Sequence, residues 1–157
     1  MKVTLILVGK TVNRHFVDLV DDYASRLKHY INFDIFTIPE LKNTKNLSVE
    51  QQKQQEGELI LKQLQAGDHV VLLDEHGKEL RSVEFSSYME QKMQTVSKRL
   101  VFVIGGSYGF SPDVYERANG KLSLSKMTFS HQMVRLIFVE QLYRAMTIMR
   151  GEPYHHE

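Results

Sequence analysis

Short apolar runs alternate along the chain with stretches in which apolar residues recur at helical spacing. The runs predict strands near residues 3–8, 33–38, 69–73, 100–104 and 121–124. The stretch after the first run places five apolar residues on one face of a helix: Phe16, Leu19, Val20, Tyr23 and Leu27. Comparable helices follow the other strands, so the pattern predicts a strand–helix unit repeated to the end of the chain.

Serine residues mark where several of these helices begin. Ser48, with a glutamine three positions later, has the spacing of a capping box and predicts a helix over residues 49–65. Ser82 is predicted to cap the next helix, which ends near residue 96. The last helix is predicted to be capped by Ser130 and to cover residues 131–150.

Alternating strands and helices are typical of α/β proteins with a mostly parallel sheet and helices on both faces. We therefore expect a single domain over residues 1–157. Such sheets bind ligands in the crevice beyond the carboxyl ends of their strands. Three segments follow strand ends, at residues 73–78, 105–109 and 124–130, and they are predicted to converge at that edge.

The glycine-rich segment Gly105-Gly106-Ser107-Tyr108-Gly109 follows the most continuously apolar strand. Glycines let a backbone approach a ligand closely, and N–H groups in such a loop can hold an adenosine or a carboxylate. The same glycines are equally consistent with a tight turn that binds nothing. Their spacing matches neither the dinucleotide pattern Gly-x-Gly-x-x-Gly nor a phosphate-binding P-loop, which disfavours an NAD-dependent oxidoreductase.

Hydroxyl and apolar residues alternate over residues 122–129, just before the last helix. Met127 and Phe129 offer apolar faces, and backbone groups from Ser125 to Thr128 could pair with the edge of an adenine. A strand followed by an ordinary helix cap explains the segment equally well. An adenine site here is therefore one of two open interpretations.

The last helix carries two pairs of polar residues, each spaced by one turn. His131 and Arg135 lie near the predicted helix start, where binding of an anion or substrate is as plausible as a structural role. For Glu140 and Arg144, a helix ion pair is the simpler interpretation.

The chain ends in a tail that contains Tyr154, His155 and His156, side chains that can stack or titrate. Adjacent histidines lack the one-turn spacing that two metal ligands have on a helix. We therefore expect no bound metal at the tail.

Composition narrows the class of protein further. The chain has no cysteine, which removes disulfides and thiol catalysis. Apolar runs are too short for a membrane helix, and the first residues do not resemble a signal peptide, so a cytoplasmic protein that does not enter a membrane is expected. A net charge of +1 gives no global basic field, although a local patch can still bind RNA.

Taken together, several motifs of the chain resemble the RlmH family, a group of SPOUT methyltransferases. The resemblance covers the whole chain and rests on the order and spacing of these segments rather than on one motif. They are Leu73-Asp74-x-x-Gly77-Lys78, Phe102-Val103-Ile104-Gly105-Gly106-x-x-Gly109, Leu122-Ser123-Leu124-Ser125-Lys126-Met127-Thr128, His131-x-x-x-Arg135, Glu140-Gln141-x-Tyr143-Arg144-Ala145 and Pro153-Tyr154-His155.

The resemblance implies an α/β sheet whose C-terminal part is tied in a deep trefoil knot, and a protein that works as a homodimer. It also implies that S-adenosylmethionine lies in the knot as the methyl donor. By motif match, the donor would contact Leu73, Gly105, Leu124, Ser125, Lys126, Met127, Thr128 and Phe129.

The reaction implied by the resemblance is methylation of N3 of a pseudouridine in 23S rRNA, on the large subunit or the 70S ribosome. Tyr154 and His155 would hold or deprotonate the base, whereas His131, Arg135 and Arg144 would contact RNA phosphate or stabilise the N3 anion. The alternative is a non-catalytic ribosome- or RNA-binding factor with the same fold.

Overall fold

The computed structural model describes residues 1–156, and within them five strands form one sheet in the order β2-β1-β4-β3-β5. Every strand pairing in this sheet is parallel. The strands are β1 (Lys2–Val8), β2 (Asn32–Ile38), β3 (His69–Glu79), β4 (Arg99–Ile104) and β5 (Gly120–Ser123). The helices are α1 (Arg14–Leu27), α2 (Val49–Lys62), α3 (Ser82–Thr95), α4 (Pro112–Arg117) and α5 (Met133–Met149), with a 3₁₀ turn at Thr44–Asn46.

Helices cover both faces of the sheet, as predicted, because alternate strand residues point to opposite sides. Leu5 and Leu7 of β1 belong to one hydrophobic cluster, which also holds buried residues of α1, α3 and α5. Ile6 and Val8 belong to a second cluster, with Ile60 of α2 and residues of the α4 region. β1, β4 and the first part of β3 are therefore buried on two sides, which explains why their sequences are continuously apolar.

The predicted loop over residues 73–78 is wrong for most of its length, because β3 continues to Glu79. After a register shift that follows Leu73, the strand pairs again with β5, through Lys78 opposite Leu122. Gly77 is required at this crossing, since a Cβ there would lie 2.5 Å from the backbone carbonyl carbon of Leu122. The polar sequence at the end of β3 gave no signal of a strand, because its pairing depends on residues of β5, far along the chain.

Helix starts differ from the prediction at two of the three serines. Ser48 caps α2 as predicted, although this helix ends at Lys62. Ser82 is the first residue of α3 rather than its cap, and its hydroxyl donates instead to Gln141 Oε1 at 2.8 Å. The final helix begins at Met133, two residues later than predicted, while Ser130 Oγ still accepts a bond from the Met133 N–H.

No helix within residues 1–156 is long and apolar enough to cross a membrane. The chain order of strands and helices agrees with the sequence pattern, so the carboxyl ends of the strands meet at one edge. That edge carries the three segments predicted to converge.

Candidate active site

A cavity of about 620 Å³ opens at the carboxyl edge of the sheet, and we call it the edge cavity. All three predicted segments contribute to its wall, together with Lys53 of α2 and Val134 of α5. A volume in this range suits a ligand of nucleoside size. Every residue predicted to bind the cofactor lines it: Leu73, Gly105, Leu124, Ser125, Lys126, Met127, Thr128 and Phe129.

The glycine loop of the cavity is packed tightly against its own protein. A Cβ at Gly105 would come within 2.8 Å of the Phe110 ring, and one at Gly106 within 2.4 Å of Glu56 Oε2. The Gly106 N–H donates to Glu56 Oε1 at 2.8 Å. Burial raises the pKa of this carboxyl group above its ordinary value. Glu56 therefore holds the loop in place, and the Gly106 N–H is engaged by the protein itself.

The segment before α5 is shaped by its own hydroxyl groups. Ser123 Oγ donates to the Ser125 carbonyl oxygen, and Ser125 Oγ accepts from the Met127 N–H, both at 2.9 Å. This turn leaves the Met127 side chain 79% exposed at the cavity wall. An exposed methionine beside a cavity offers a soft apolar surface to a ligand.

His131 and Arg135 lie together, one at the cavity wall and one beneath it. His131 lines the cavity, and its Nε2 lies 3.3 Å from Arg135 Nη2. Arg135 is fully buried and donates to the Val8 carbonyl oxygen at 2.8 Å and to Thr11 Oγ1 at 2.9 Å. Burial lowers the pKa of this guanidinium below its ordinary value. Arg135 thus ties the end of β1 to α5 from inside the protein.

Arg135 also carries the only buried side-chain polar atom without a hydrogen-bond partner among the described residues, its Nε. Leaving a donor of a buried guanidinium unpaired costs free energy, so the other bonds of Arg135 must offset that cost. Its bonds to β1 and its contact with His131 indicate that it positions the cavity wall.

The other three candidate catalytic residues lie apart from the edge cavity. With two partners they form a group that we call the tail cluster: Tyr23, Glu140, Arg144, Tyr154 and His155. Arg144 Nη2 donates to Glu140 Oε1 at 2.6 Å, and Arg144 Nη1 lies 3.0 Å from His155 Nδ1. A guanidinium can only donate, so His155 Nδ1 accepts this bond. The helix ion pair anticipated for Glu140 and Arg144 is therefore present, but as part of a larger network.

Tyr154 lies at the centre of the tail cluster. Its hydroxyl donates to Glu140 Oε1 at 3.0 Å and lies 3.1 Å from the Tyr23 hydroxyl on α1. Burial and these two partners raise the pKa of Tyr154 well above the ordinary value of a phenol. In this arrangement Tyr154 keeps its proton at neutral pH.

The tail is fastened to α1 by a second contact. The Tyr30 hydroxyl donates to Glu152 Oε2 at 2.6 Å, which raises the pKa of Tyr30 to about 12. The Arg150 guanidinium lies 4.3 Å from the centroid of the Tyr30 ring. The tail therefore packs along α1 and α5 in an ordered way.

The edge cavity and the tail cluster do not meet within one chain. Val134 lines the cavity near the start of α5, whereas Arg144 lies in its later turns. At the helical rise per residue, the two positions are about 15 Å apart. His131 is thus close to the cofactor candidates, while Arg144, Tyr154 and His155 are not.

Several residues of the site were missed by sequence reasoning. Lys53 and Tyr115 line the cavity, and so does Asp74, which the motif comparison included without a role. Glu56 contacts the glycine loop of the cavity, and Tyr23 contacts Tyr154 of the tail. Only Asp74 gave a signal, because it directly follows a predicted strand; the others contact the site through long-range packing.

Within residues 1–156, no group of three or more His, Cys, Asp or Glu side chains is arranged to hold a metal ion.

Comparison with known proteins identifies the family of the chain. A family model described as "Predicted SPOUT methyltransferase" matches residues 1–155. The chain is 68% identical to proteins of Phocaeicola vulgatus and Bacteroides thetaiotaomicron, each called "Ribosomal RNA large subunit methyltransferase H", over all of both chains. A protein of Flavobacterium johnsoniae with the same name is 59% identical, again over the full length of both. The chain belongs to the SPOUT methyltransferase family.

Proposed function

We propose that this chain, acting as a single domain, is an S-adenosylmethionine-dependent methyltransferase of 23S rRNA, with N3 of a pseudouridine as its target. The observation that carries the proposal is the edge cavity, because it collects all eight cofactor candidates from three separate segments of the chain. Full-length relatives at 68% identity, named as methyltransferases of large-subunit RNA, support the substrate class.

The edge cavity fits the chemistry of the donor. Leu73, Ile104 and Leu124 provide apolar wall for an adenine, and the backbone over residues 124–129 provides polar groups for its edge. Lys53 and Lys126 can attract the carboxylate of the methionine part. When bound, S-adenosylmethionine supplies an electrophilic methyl group on a sulfonium.

The tail cluster supplies groups suited to holding a uracil-like base. Tyr154 keeps its proton, so its hydroxyl would exchange its bond to Glu140 for one to a carbonyl oxygen of the base rather than remove the N3 proton. Since His155 Nδ1 accepts from Arg144, the neutral ring of His155 carries its proton on Nε2 and would also donate. Arg144 would stabilise the negative charge that develops on the base as N3 releases its proton to solvent water and takes the methyl group.

His131 and Arg135 act on the cavity side in this proposal. His131 is exposed to the cavity and would face the RNA, whereas Arg135 would act through His131 and the end of β1 because it is buried. In-line placement of donor and base demands such rigid walls.

A homodimer would unite the two parts of the site. Arg144 of the tail cluster lies about 15 Å from Val134 of its own cavity, measured along α5. We propose that the tail of a second copy completes the cavity, and that the assembled large subunit or 70S ribosome presents the RNA in the cytoplasm.

Transfer of labelled methyl groups tests the proposal directly. The purified protein is incubated with labelled S-adenosylmethionine and ribosomes that lack the modification, and the label is mapped by nuclease digestion and mass spectrometry. Label at N3 of one pseudouridine is the expected result. If the protein binds ribosomes but neither binds the donor nor transfers a methyl group, it is instead a non-catalytic RNA-binding factor.

Mixed dimers test the shared site. A Gly105→Arg chain with a blocked cavity and a Tyr154→Phe chain with an altered tail are each expected to be inactive. Co-expressed and purified as heterodimers through two different tags, they are expected to regain up to half of the wild-type activity, because one cavity and one tail remain intact together. No recovery would contradict a site shared between two copies.

A further inference from the structure

Asp74 occupies a distinctive place at the edge cavity. It directly follows Leu73, whose partner across the sheet is Ile104, the last residue before the glycine loop. Asp74 is therefore next to Gly105 at the carboxyl edge, and its side chain lines the cavity. The carboxylate of one strand and the glycine loop of the adjacent strand thus face the same ligand space.

Tyr115 of α4 orients this carboxylate. Its hydroxyl donates to Asp74 Oδ2 at 2.8 Å, and its ring also lines the cavity. The ring is fixed by an edge-on contact with Phe110 and by Lys121, whose Nζ lies 5.5 Å from the ring centroid. Burial and the Asp74 carboxylate raise the pKa of Tyr115 to about 12, so the hydroxyl remains a donor.

Glu75, the other carboxylate among these cavity residues, is far less firmly held than Asp74. Glu75 is 72% exposed at its side chain and lies 3.5 Å from His76, which is equally exposed. Ordering a mobile surface side chain around a ligand costs entropy, whereas Asp74 is already held. Asp74 is therefore the preorganised acceptor of the cavity.

A carboxylate has about four acceptor positions, and Tyr115 uses one on Oδ2. The remaining positions suit two adjacent hydroxyl groups, as a ribose diol presents. In dinucleotide-binding folds, an acidic residue near the glycine loop makes this contact with the ribose. Here the acidic residue precedes the glycines in sequence, so it does not match the usual motif, in which the acid follows the loop. Asp74 nevertheless directly follows the last β3 residue that pairs with β4, beside the glycine loop.

We propose that Asp74, held by Tyr115, binds the ribose hydroxyls of the methyl donor and selects a ribonucleoside. This inference rests on the proposed function, because it names the part of the donor that these residues recognise. It assigns Asp74 as a binding residue and Tyr115 as its positioning residue.

Deoxy ligands separate this role from a merely structural one. S-adenosylhomocysteine and its 2′-deoxy and 3′-deoxy forms are titrated calorimetrically into the wild-type protein, Asp74→Asn, Tyr115→Phe and the control Glu75→Gln. Wild type and Glu75→Gln are expected to bind the ribose form about tenfold more tightly than either deoxy form. Asp74→Asn is expected to lose about tenfold for the ribose form alone, which removes the preference.

Tyr115→Phe is expected to show a smaller loss, because Asp74 is present but less firmly held. Equal affinity of the wild type for all three ligands would overturn the inference and leave the proposed function standing, and this result does not depend on whether a variant folds. An equal loss for all three ligands in Asp74→Asn would overturn it as well. If the wild type binds none of them, the proposed function fails together with the inference.

Discussion

The edge cavity and the tail cluster lie at opposite ends of α5 and are built by different means. The cavity region depends on tight packing at glycines, with Gly77 against the Leu122 backbone and Gly106 against the Glu56 side chain, and it leaves the Met127 side chain exposed. The tail cluster is fixed by a chain of side-chain hydrogen bonds among ionised and phenolic groups. Changes at the packed glycines of the first region should therefore affect folding sharply, and changes in the tail cluster should affect chemistry more than stability.

Gly77→Ala is expected to have the largest effect. The added Cβ would meet the Leu122 backbone at 2.5 Å, and a backbone crossing cannot move aside as a flexible side chain can. We expect a loss of about 3 kcal/mol in the free energy of unfolding, measured by urea denaturation.

Gly120→Ala is the matched control, because it lies on the same strand as Leu122 but has nothing within 4 Å of the added Cβ. A change below about 1 kcal/mol is expected there. If both alanine variants lose the same free energy of unfolding, the close contact between Gly77 and the Leu122 backbone is not important for stability.

The same crossing shows where sequence analysis succeeds and where it stops. Local periodicity predicted the strands and helices because each buries a face of its own. It failed for the end of β3, whose polar residues are strand only because Leu122 pairs with them. Membership of the SPOUT family implies a C-terminal trefoil knot, a property of chain threading that periodicity alone cannot express.

The candidate site divides in the same way. The residues that line the edge cavity follow strand ends, and topology alone brings them together. The burial of Arg135 and the docking of Tyr154 on α1 depend on contacts with residues more than a hundred positions away, Thr11 and Tyr23. Such pairings have no local sequence signal.

Asp68→Asn is expected to have an effect comparable to that of Gly77→Ala, and it provides a scale for the stability that the ion pair of the tail cluster contributes. Asp68 is buried and pairs with Arg99 at 2.6 Å, at the opposite edge of the sheet. Removing one partner of a buried pair should cost about 3 kcal/mol. Glu140→Gln, which breaks the more exposed pair with Arg144, should cost only about 1 kcal/mol. Equal losses in urea denaturation would mean that the tail cluster is a stabilising element after all.

The pH dependence of unfolding provides an independent check on Asp68. Burial opposes ionisation of this carboxyl group, but bonds from Arg99 and from the Gln65 N–H outweigh it and hold its pKa below the ordinary value. Its contribution is therefore fully present above the unfolded pKa of 3.8 and is lost as pH falls through the folded value. Wild type should lose more stability than Asp68→Asn between pH 5 and about pH 2.

Tyr154→Phe is expected to have a smaller effect on stability and a larger one on chemistry. The change removes one hydroxyl that bonds Glu140 and Tyr23, which should cost about 1 kcal/mol. Donor affinity should be unchanged, because the Tyr154 hydroxyl is proposed to contact the RNA base rather than the donor, whereas methyl transfer to ribosomes should fall at least about tenfold. Tyr88→Phe on α3, outside the tail cluster, should leave transfer unchanged. Unchanged transfer in Tyr154→Phe would remove this hydroxyl from the reaction.

Met127→Ala is expected to have the smallest effect on stability, yet it tests the cavity most directly. The side chain is 79% exposed, so its loss should change the free energy of unfolding by less than about 0.5 kcal/mol. If the exposed thioether closes on the donor, removing it should weaken binding of S-adenosylmethionine about fivefold, measured by calorimetry. Met93→Ala, also exposed but on α3, should alter neither quantity. A large loss of stability in Met127→Ala would show that the cavity wall packs as core, whereas unchanged donor affinity would show that its exposed methionine takes no part in binding.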